Sequence, residues 1–184
     1  MLQWTCLRVF ECPAVGSPDA MVSVFERPLG NLALPSEAEA VAGETFYHLF
    51  SPERFDKGDR AIVCHDEHTV IGYTWLSFKD LWVSECHLFL SLAEDEAVTY
   101  DAFVFPQHRG RGLYAGIESA ALAEARNHGR RRVITFVESR NVSSLKTQLR
   151  LGKTLAMSLY SIQFFNRFSL HWATGRPLAS RFYK

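Results

Sequence analysis

The stretch that decides the fold is YDAFVFPQHRGRGLYAGIESAALAEA, Tyr100 to Ala125. It opens with alternating and aromatic residues that read as a strand over Val98 to Phe105. Pro106 ends that strand, because proline has no N–H to give to a ladder. A basic glycine turn follows, Arg109-Gly110-Arg111-Gly112. Leu113, Ile117, Ala120, Ala121 and Ala125 then recur at helical spacing, which predicts a helix from Leu113 to Asn127, with Gly129 as its stop. A helix N-terminus leaves backbone N–H groups unpaired and carries partial positive charge. Glycines allow positive φ and close approach of an anion. The unit therefore has the chemistry to cradle a diphosphate. The alternative reading is an ordinary strand–helix turn with solvated arginines.

Working outward, Val133 to Val137 reads as a short apolar strand. Asn141 then caps a second helix, which runs to about Leu151 and is closed by Gly152. Leu155 to Phe165 and Phe168 to Thr174 read as a hairpin turned at Asn166-Arg167. Toward the N-terminus, Leu81 to Leu92 reads as a strand with an irregular start, and Glu94-Asp95-Glu96 as an acidic turn. Ala61 to Cys64 and Thr69 to Leu76 form a hairpin. Ser36 with Glu39 reads as a capping box opening a helix with the stripe Ala38, Val41, Ala42, Thr45, Phe46 and Leu49. Asp56 to Asp59 is a polar turn. The order predicts an α+β domain with a mixed, mostly antiparallel sheet flanked by helices, and a single domain over residues 1–184.

Composition sets outer limits. The 184 residues are 47% hydrophobic and 22% charged, with formal net charge +0, which suits a folded globular chain and gives no basic excess for nucleic acid. Cys6, Cys12, Cys64 and Cys86 form no CxxC pair and read as free thiols of a reducing cytoplasm. The start, MLQWTCLRVFECP, lacks the basic and apolar regions of a signal peptide. The most apolar tract, Leu155 to Ala173, is interrupted by Gln163, Asn166, Arg167 and His171, so no membrane span is expected. His65, His68 and His87 are scattered, and no metal site is expected. Arg130-Arg131-Arg132 reads as a solvated charge run. There is no Walker loop, and no GxGxxG of a dinucleotide fold.

The run from Val104 through Arg109, Gly112 and Tyr114 resembles the coenzyme A signature of the GNAT superfamily of acyltransferases. That signature is Arg or Gln, two residues, Gly, one residue, then Gly or Ala, after a Val-x-Pro strand end. Tyr114 departs from the final small residue, and Gln107-x-x-Gly110-x-Gly112 offers a second register. Val137, Asn141, Ser144 and Gly152 resemble the family's second signature. The resemblance covers about residues 98–152. It implies two central strands splayed to hold CoA, with acetyl-CoA or another acyl-CoA as co-substrate. It implies that Arg109, Gly110, Arg111, Gly112, Leu113 and Tyr114 meet the diphosphate. Phe103 and Val104 would pair with the pantetheine, and Asn141 and Ser144 would line the cleft. The implied reaction is acyl transfer to the amine of a small acceptor by direct attack. Asp101 and Glu138 are the candidate bases, and Asp101 has the alternative role of holding a neighbouring loop. The family's usual acid, a Tyr seven residues after the Asn, is Gln148 here, which leaves Tyr114, Tyr160 or solvent as donor. Two other functions stay open: a non-catalytic CoA-binding module, and an acyltransferase using a long acyl chain on a carrier protein. Assembly as a homodimer is also left open.

Overall fold

The structure, a computed structural model, describes residues 2–13, 21–35, 46–164, 168–175 and 181–183. Its strands are β1 (Leu2–Pro13), β2 (Val22–Phe25), β3 (Arg60–Asp66), β4 (Thr69–Ser77), β5 (Leu81–Val83), β6 (Leu88–Ser91), β7 (Glu96–Val104), β8 (Arg132–Glu138), β9 (Thr154–Phe164), β10 (Phe168–Gly175) and β11 (Arg181–Tyr183). Its α-helices are the single turn α1 (Glu53–Asp56), α2 (Leu113–Asn127) and α3 (Val142–Arg150). An eight-stranded sheet runs β10-β9-β1-β8-β7-β4-β3-β2, and a three-stranded sheet runs β11-β6-β5. The pairings are antiparallel except β7 with β8. This is the mixed, mostly antiparallel α+β architecture expected.

The parallel pair positions everything that follows. β7 and β8 pair only from Glu96↔Arg132 to Thr99↔Thr135; beyond Thr99, β7 continues without β8. The cause of the splay lies in β7 itself. The β4–β7 register slips between Tyr73↔Phe103 and Trp75↔Tyr100, and Asp101 sits there at φ 47°. This is a bulge, and a bulge bends its strand and sharpens the local twist. The closed end of the pair is pinned by charge. Arg132 reaches Glu96 at 3.0 Å and Asp95 at 3.6 Å, and Arg131 reaches Asp95 at 3.2 Å. The arginine run is therefore a clasp onto the acidic turn rather than a freely solvated stretch.

Helix α2 packs Ile117, Ala120, Ala121 and Ala125 onto one face of the sheet, with Ile62, Leu76 and Val133 beneath. On the opposite face, the small sheet packs Val83, Leu88 and Leu90 against Leu7, Val9 and Ile134. Beside it, Phe46, Leu49 and Phe55 cover Tyr73, Trp75 and Phe105.

Several readings change, and two strands are added. Leu81 to Leu92 is a hairpin of two strands, not one, because residues 84–87 form a turn with His87 at φ 53°. The N-terminal segment is a 12-residue strand between β8 and β9, and β11 closes the small sheet; neither was read from the sequence. Asp56 ends a helical turn. Most of the helix read from Ser36 lies outside the described residues, as does the Asn166-Arg167 turn. Tyr47–Leu49 is a 3-10 turn.

Candidate active site

Both helix starts lie at the open end of the parallel pair, since α2 follows β7 through the glycine turn and α3 follows β8. Carboxyl ends of parallel strands are where α/β sheets hold ligands. At the turn, Gly110 and Gly112 both have φ +77°, and space is open where their Cβ atoms would be. Gly112 is the helix N-cap and offers no side-chain bond. At the helix start Ala115 N donates to Gly112 O at 2.9 Å; the amides of residues 110–114 have no protein partner among the described residues. Arg109 turns back on the strand instead of outward. Its Nε donates to Val104 O at 2.8 Å, and its guanidinium lies 5.4 Å from the Phe103 ring centre. Arg111 and Gly112 are exposed and Leu113 is half-buried.

Tyr114 turns inward, away from the mouth of the turn. Its hydroxyl accepts a hydrogen bond from Gln148 Nε2 at 3.2 Å, linking α2 to α3. Burial, followed by the nearby Glu118 carboxylate, raises the Tyr114 pKa well above the usual phenol value. Gln148 is 2% exposed. Tyr160 is separate: it lies on β9, across β1 from β8, and stacks on Trp172 at 5.2 Å. On α3, Asn141 Oδ1 accepts from Ser144 N at 3.1 Å, the helix cap that the sequence predicts. Asn141 is exposed and Ser144 half-buried.

Where β7 and β8 part, a buried polar group crosses between them. Lys153 Nζ donates to Glu118 Oε1 and, at 2.7 Å, to Thr135 Oγ1, and Thr135 Oγ1 shares a 2.6 Å bond with Thr99 Oγ1. Sequence reasoning missed this group. Its sequence signals are a charged residue, Glu118, inside the apolar stripe of α2, and a lysine, Lys153, directly after the helix-closing Gly152.

The two candidate bases are both engaged by arginines. Asp101 Oδ2 accepts from Arg54 at 2.6 Å, with the Asp101 side chain 48% exposed. Glu138 takes Arg140 on both oxygens, at 2.6 and 3.2 Å. Asp101 faces an aromatic group absent from the sequence reading. The Arg54 guanidinium lies 5.1 Å from the ring centres of both Trp75 and Tyr100. Tyr100 donates to Asp59 at 2.6 Å. His48 meets Trp75 at 5.8 Å and Tyr73 at 5.4 Å.

Burial, then the Arg54 cation, push the His48 pKa down from 6.5 to about 4, against a smaller upward pull from Asp101. The imidazole is therefore neutral in the folded state where the unfolded chain would be charged. A depressed folded value means stability present above about pH 6.5 and lost as pH falls toward about 4. Urea unfolding of His48→Gln is expected to show a shallower loss across that window than the parent chain.

Among the described residues, no three His, Cys, Asp or Glu side chains converge as a metal site, and no helix is long and apolar enough to cross a membrane.

Comparisons with known proteins agree with this geometry. Among solved structures, the chain is similar to a GNAT-family protein from Novosphingobium aromaticivorans, with 14% identity, TM-score 0.57, and 86% of this chain and 63% of that one covered. It is also similar to a GNAT-family acetyltransferase from Colwellia psychrerythraea, with 16% identity, TM-score 0.56, and coverage of 89% and 56%. A third is the GCN5-related N-acetyltransferase from Sphaerobacter thermophilus, with 14% identity, TM-score 0.51, and coverage of 96% and 54%. The chain thus spans less than two thirds of the length of each. At these identities the likeness is one of fold. A search of curated proteins found no match. The sequence profile of the acetyltransferase (GNAT) family matches residues 27–152, a span that holds the glycine turn, the splayed pair and the α3 cap. On that match, over more than half of its length, the chain belongs to the acetyltransferase (GNAT) family.

Proposed function

We propose that the chain transfers an acetyl or related acyl group from acyl-CoA to the primary amine of a small acceptor, by direct attack. One observation carries this: a parallel strand pair that opens after Thr99↔Thr135, with a glycine turn whose amides have no partner among the described residues, and two helix starts at the open end. The donor set suits a diphosphate. Backbone N–H groups of residues 110–114 would hold it, and several charge-assisted bonds of about 1.5–3 kcal/mol each reach the roughly 8 kcal/mol of a micromolar ligand. The inward turn of Tyr114 keeps the bulky ring off that surface. The pantetheine arm would run along Phe103 and Val104 of β7, with Asn141 and Ser144 opposite.

Acyl-CoA supplies the thioester carbonyl. A backbone N–H of splayed β7 would polarise that carbonyl as negative charge develops. An amine with a lysine-like pKa of about 10.4 is mostly protonated at neutral pH, so a proton must leave before attack. Asp101 and Glu138 flank the opening and are the groups to receive it, directly or through water. Tyr114 would return a proton to the leaving thiolate, its hydroxyl held by Gln148 from α3. This assigns to α2 the phenol that the resemblance places on α3.

Thiol release from acetyl-CoA over a panel of amines tests the transfer. Acceptor-dependent release supports it. Tight acetyl-CoA binding with no release on any amine, acetyl or longer acyl, would leave a binding module instead. The turn has its own test. Gly112→Asp puts a negative charge at the mouth and is expected to weaken acetyl-CoA at least tenfold by calorimetry. Gly112→Asn, which tolerates positive φ equally well, should lose much less. Equal affinity for the Asp variant and the parent would remove the diphosphate from this turn.

A further inference from the structure

The aromatic group beside Asp101 contains unmet hydrogen-bonding capacity. Three buried polar atoms there have no hydrogen-bond partner among the described residues: Arg54 Nη1, Trp75 Nε1 and His48 Nε2. Buried polar atoms are almost always paired, so a cluster of unpaired ones requires a reason. Their chemistry is selective. The guanidinium and indole N–H are donors only, and neither can accept. They belong to groups stacked on one another, with the guanidinium 5.1 Å from the Trp75 ring centre. Whatever completes this cluster must therefore accept hydrogen bonds, and beside a cation it does so best as an anion. Trp75 is fully buried. Tyr73 and Tyr100 add apolar ring surface in the same cluster.

The position is equally specific. Tyr100 and Asp101 are the first residues of β7 past its last pairing with β8. The cluster therefore adjoins the opening where the acyl carbon is proposed to lie, and Asp101, half-exposed, pairs with Arg54 at its edge.

We propose that this cluster is the acceptor site, and that the acceptor is an α-amino acid with an apolar or aromatic side chain. Its carboxylate would take the donors of Arg54 and Trp75, its ammonium would lie toward Asp101, and its side chain would lie against the rings. The assignment rests on the acyl-transfer reading and narrows its acceptor. An amino sugar lacks the anion that the two donors require, and a polyamine would bring a second cation against Arg54. In the transfer itself, the ammonium first gives one proton to Asp101, directly or through water. The free amine nitrogen bonds to the acyl carbon and the carbon–sulfur bond breaks. The thiolate takes a proton from Tyr114 and leaves as CoA thiol. The nitrogen's second proton is lost to solvent or back to Tyr114, leaving an N-acyl amino acid.

Calorimetry on the full chain without CoA tests the site apart from catalysis. The probes are phenylalanine, phenethylamine (the same body without the carboxylate) and glucosamine. Phenylalanine is expected to bind about ten- to a hundredfold more tightly than phenethylamine, the weight of a charge-assisted hydrogen bond. Arg54→Gln should abolish that difference, and Arg54→Lys should restore part of it. The parent chain's own discrimination decides the matter if either variant fails to fold. No binding of phenylalanine, or equal binding of phenethylamine or glucosamine, overturns the proposal. Discrimination that survives Arg54→Gln overturns it as well. Titrating acetyl-CoA into the same protein separates the two readings. Loss of CoA binding alone counts against acyl transfer, and loss of amino-acid preference alone counts against this acceptor.

Discussion

Tyr114→Phe is expected to lower turnover by about 10²–10⁴, the usual weight of a catalytic proton donor, while acetyl-CoA still binds. The ring and its packing are kept; only the hydroxyl goes. Gln148→Ala provides the contrast. An amide has no proton to give at neutral pH, and its hydrogen bond to Tyr114 is worth about 0.5–1.5 kcal/mol, so its loss should cost about tenfold or less. Steady-state kinetics with acetyl-CoA and any accepted amine separates the two outcomes. If Gln148→Ala loses as much as Tyr114→Phe, the proton does not come from the phenol alone. If Tyr114→Phe turns over like the parent, solvent protonates the thiolate. Gln148→Tyr asks the converse question and should place two phenols in competition for one space.

The second large effect concerns stability. Lys153→Met removes the cation from the point where β7 and β8 part and leaves Glu118 buried without its charge partner. Breaking one side of a buried pair typically costs about 3–5 kcal/mol. Chemical denaturation should show that loss. The double variant Lys153→Met with Glu118→Leu should regain most of it, because two apolar groups of similar volume do not leave an unpaired charge. A double variant no more stable than Lys153→Met would mean that Thr99 and Thr135 depend on the pair for more than charge balance.

The central unit was legible because its signals are local. Pro106, the two glycines, the stripe from Leu113 and the Asn141 cap all act within a few residues, and each element came out within two residues of its reading. The N-terminal strand was not legible. Thr5, Arg8 and Glu11 break its apolar pattern, and what they pair with lies far along the chain: Arg8 bonds Ser158, and Glu11 meets Arg132 at 3.9 Å. The arginine run looked solvated for the same reason, since its acidic partners appear only once β7 lies beside β8. Lys153 and Glu118 stand 35 residues apart, and nothing local in either signals the other. The acceptor side was least legible. Arg54, Trp75 and His48 stand apart in sequence, and they meet β7 only through the β4–β7 pairing of Trp75 with Tyr100 and the Arg54–Asp101 ion pair.

The most direct test is a crystal structure of the chain with CoA. The diphosphate is expected within hydrogen-bond reach, roughly 2.7–3.2 Å, of backbone nitrogens in residues 110–114. The pantetheine is expected between β7 and β8 beyond Thr99, with the thiol beside the Tyr114 hydroxyl. CoA bound elsewhere, or a diphosphate with no contact to the amides of residues 110–114, would contradict it.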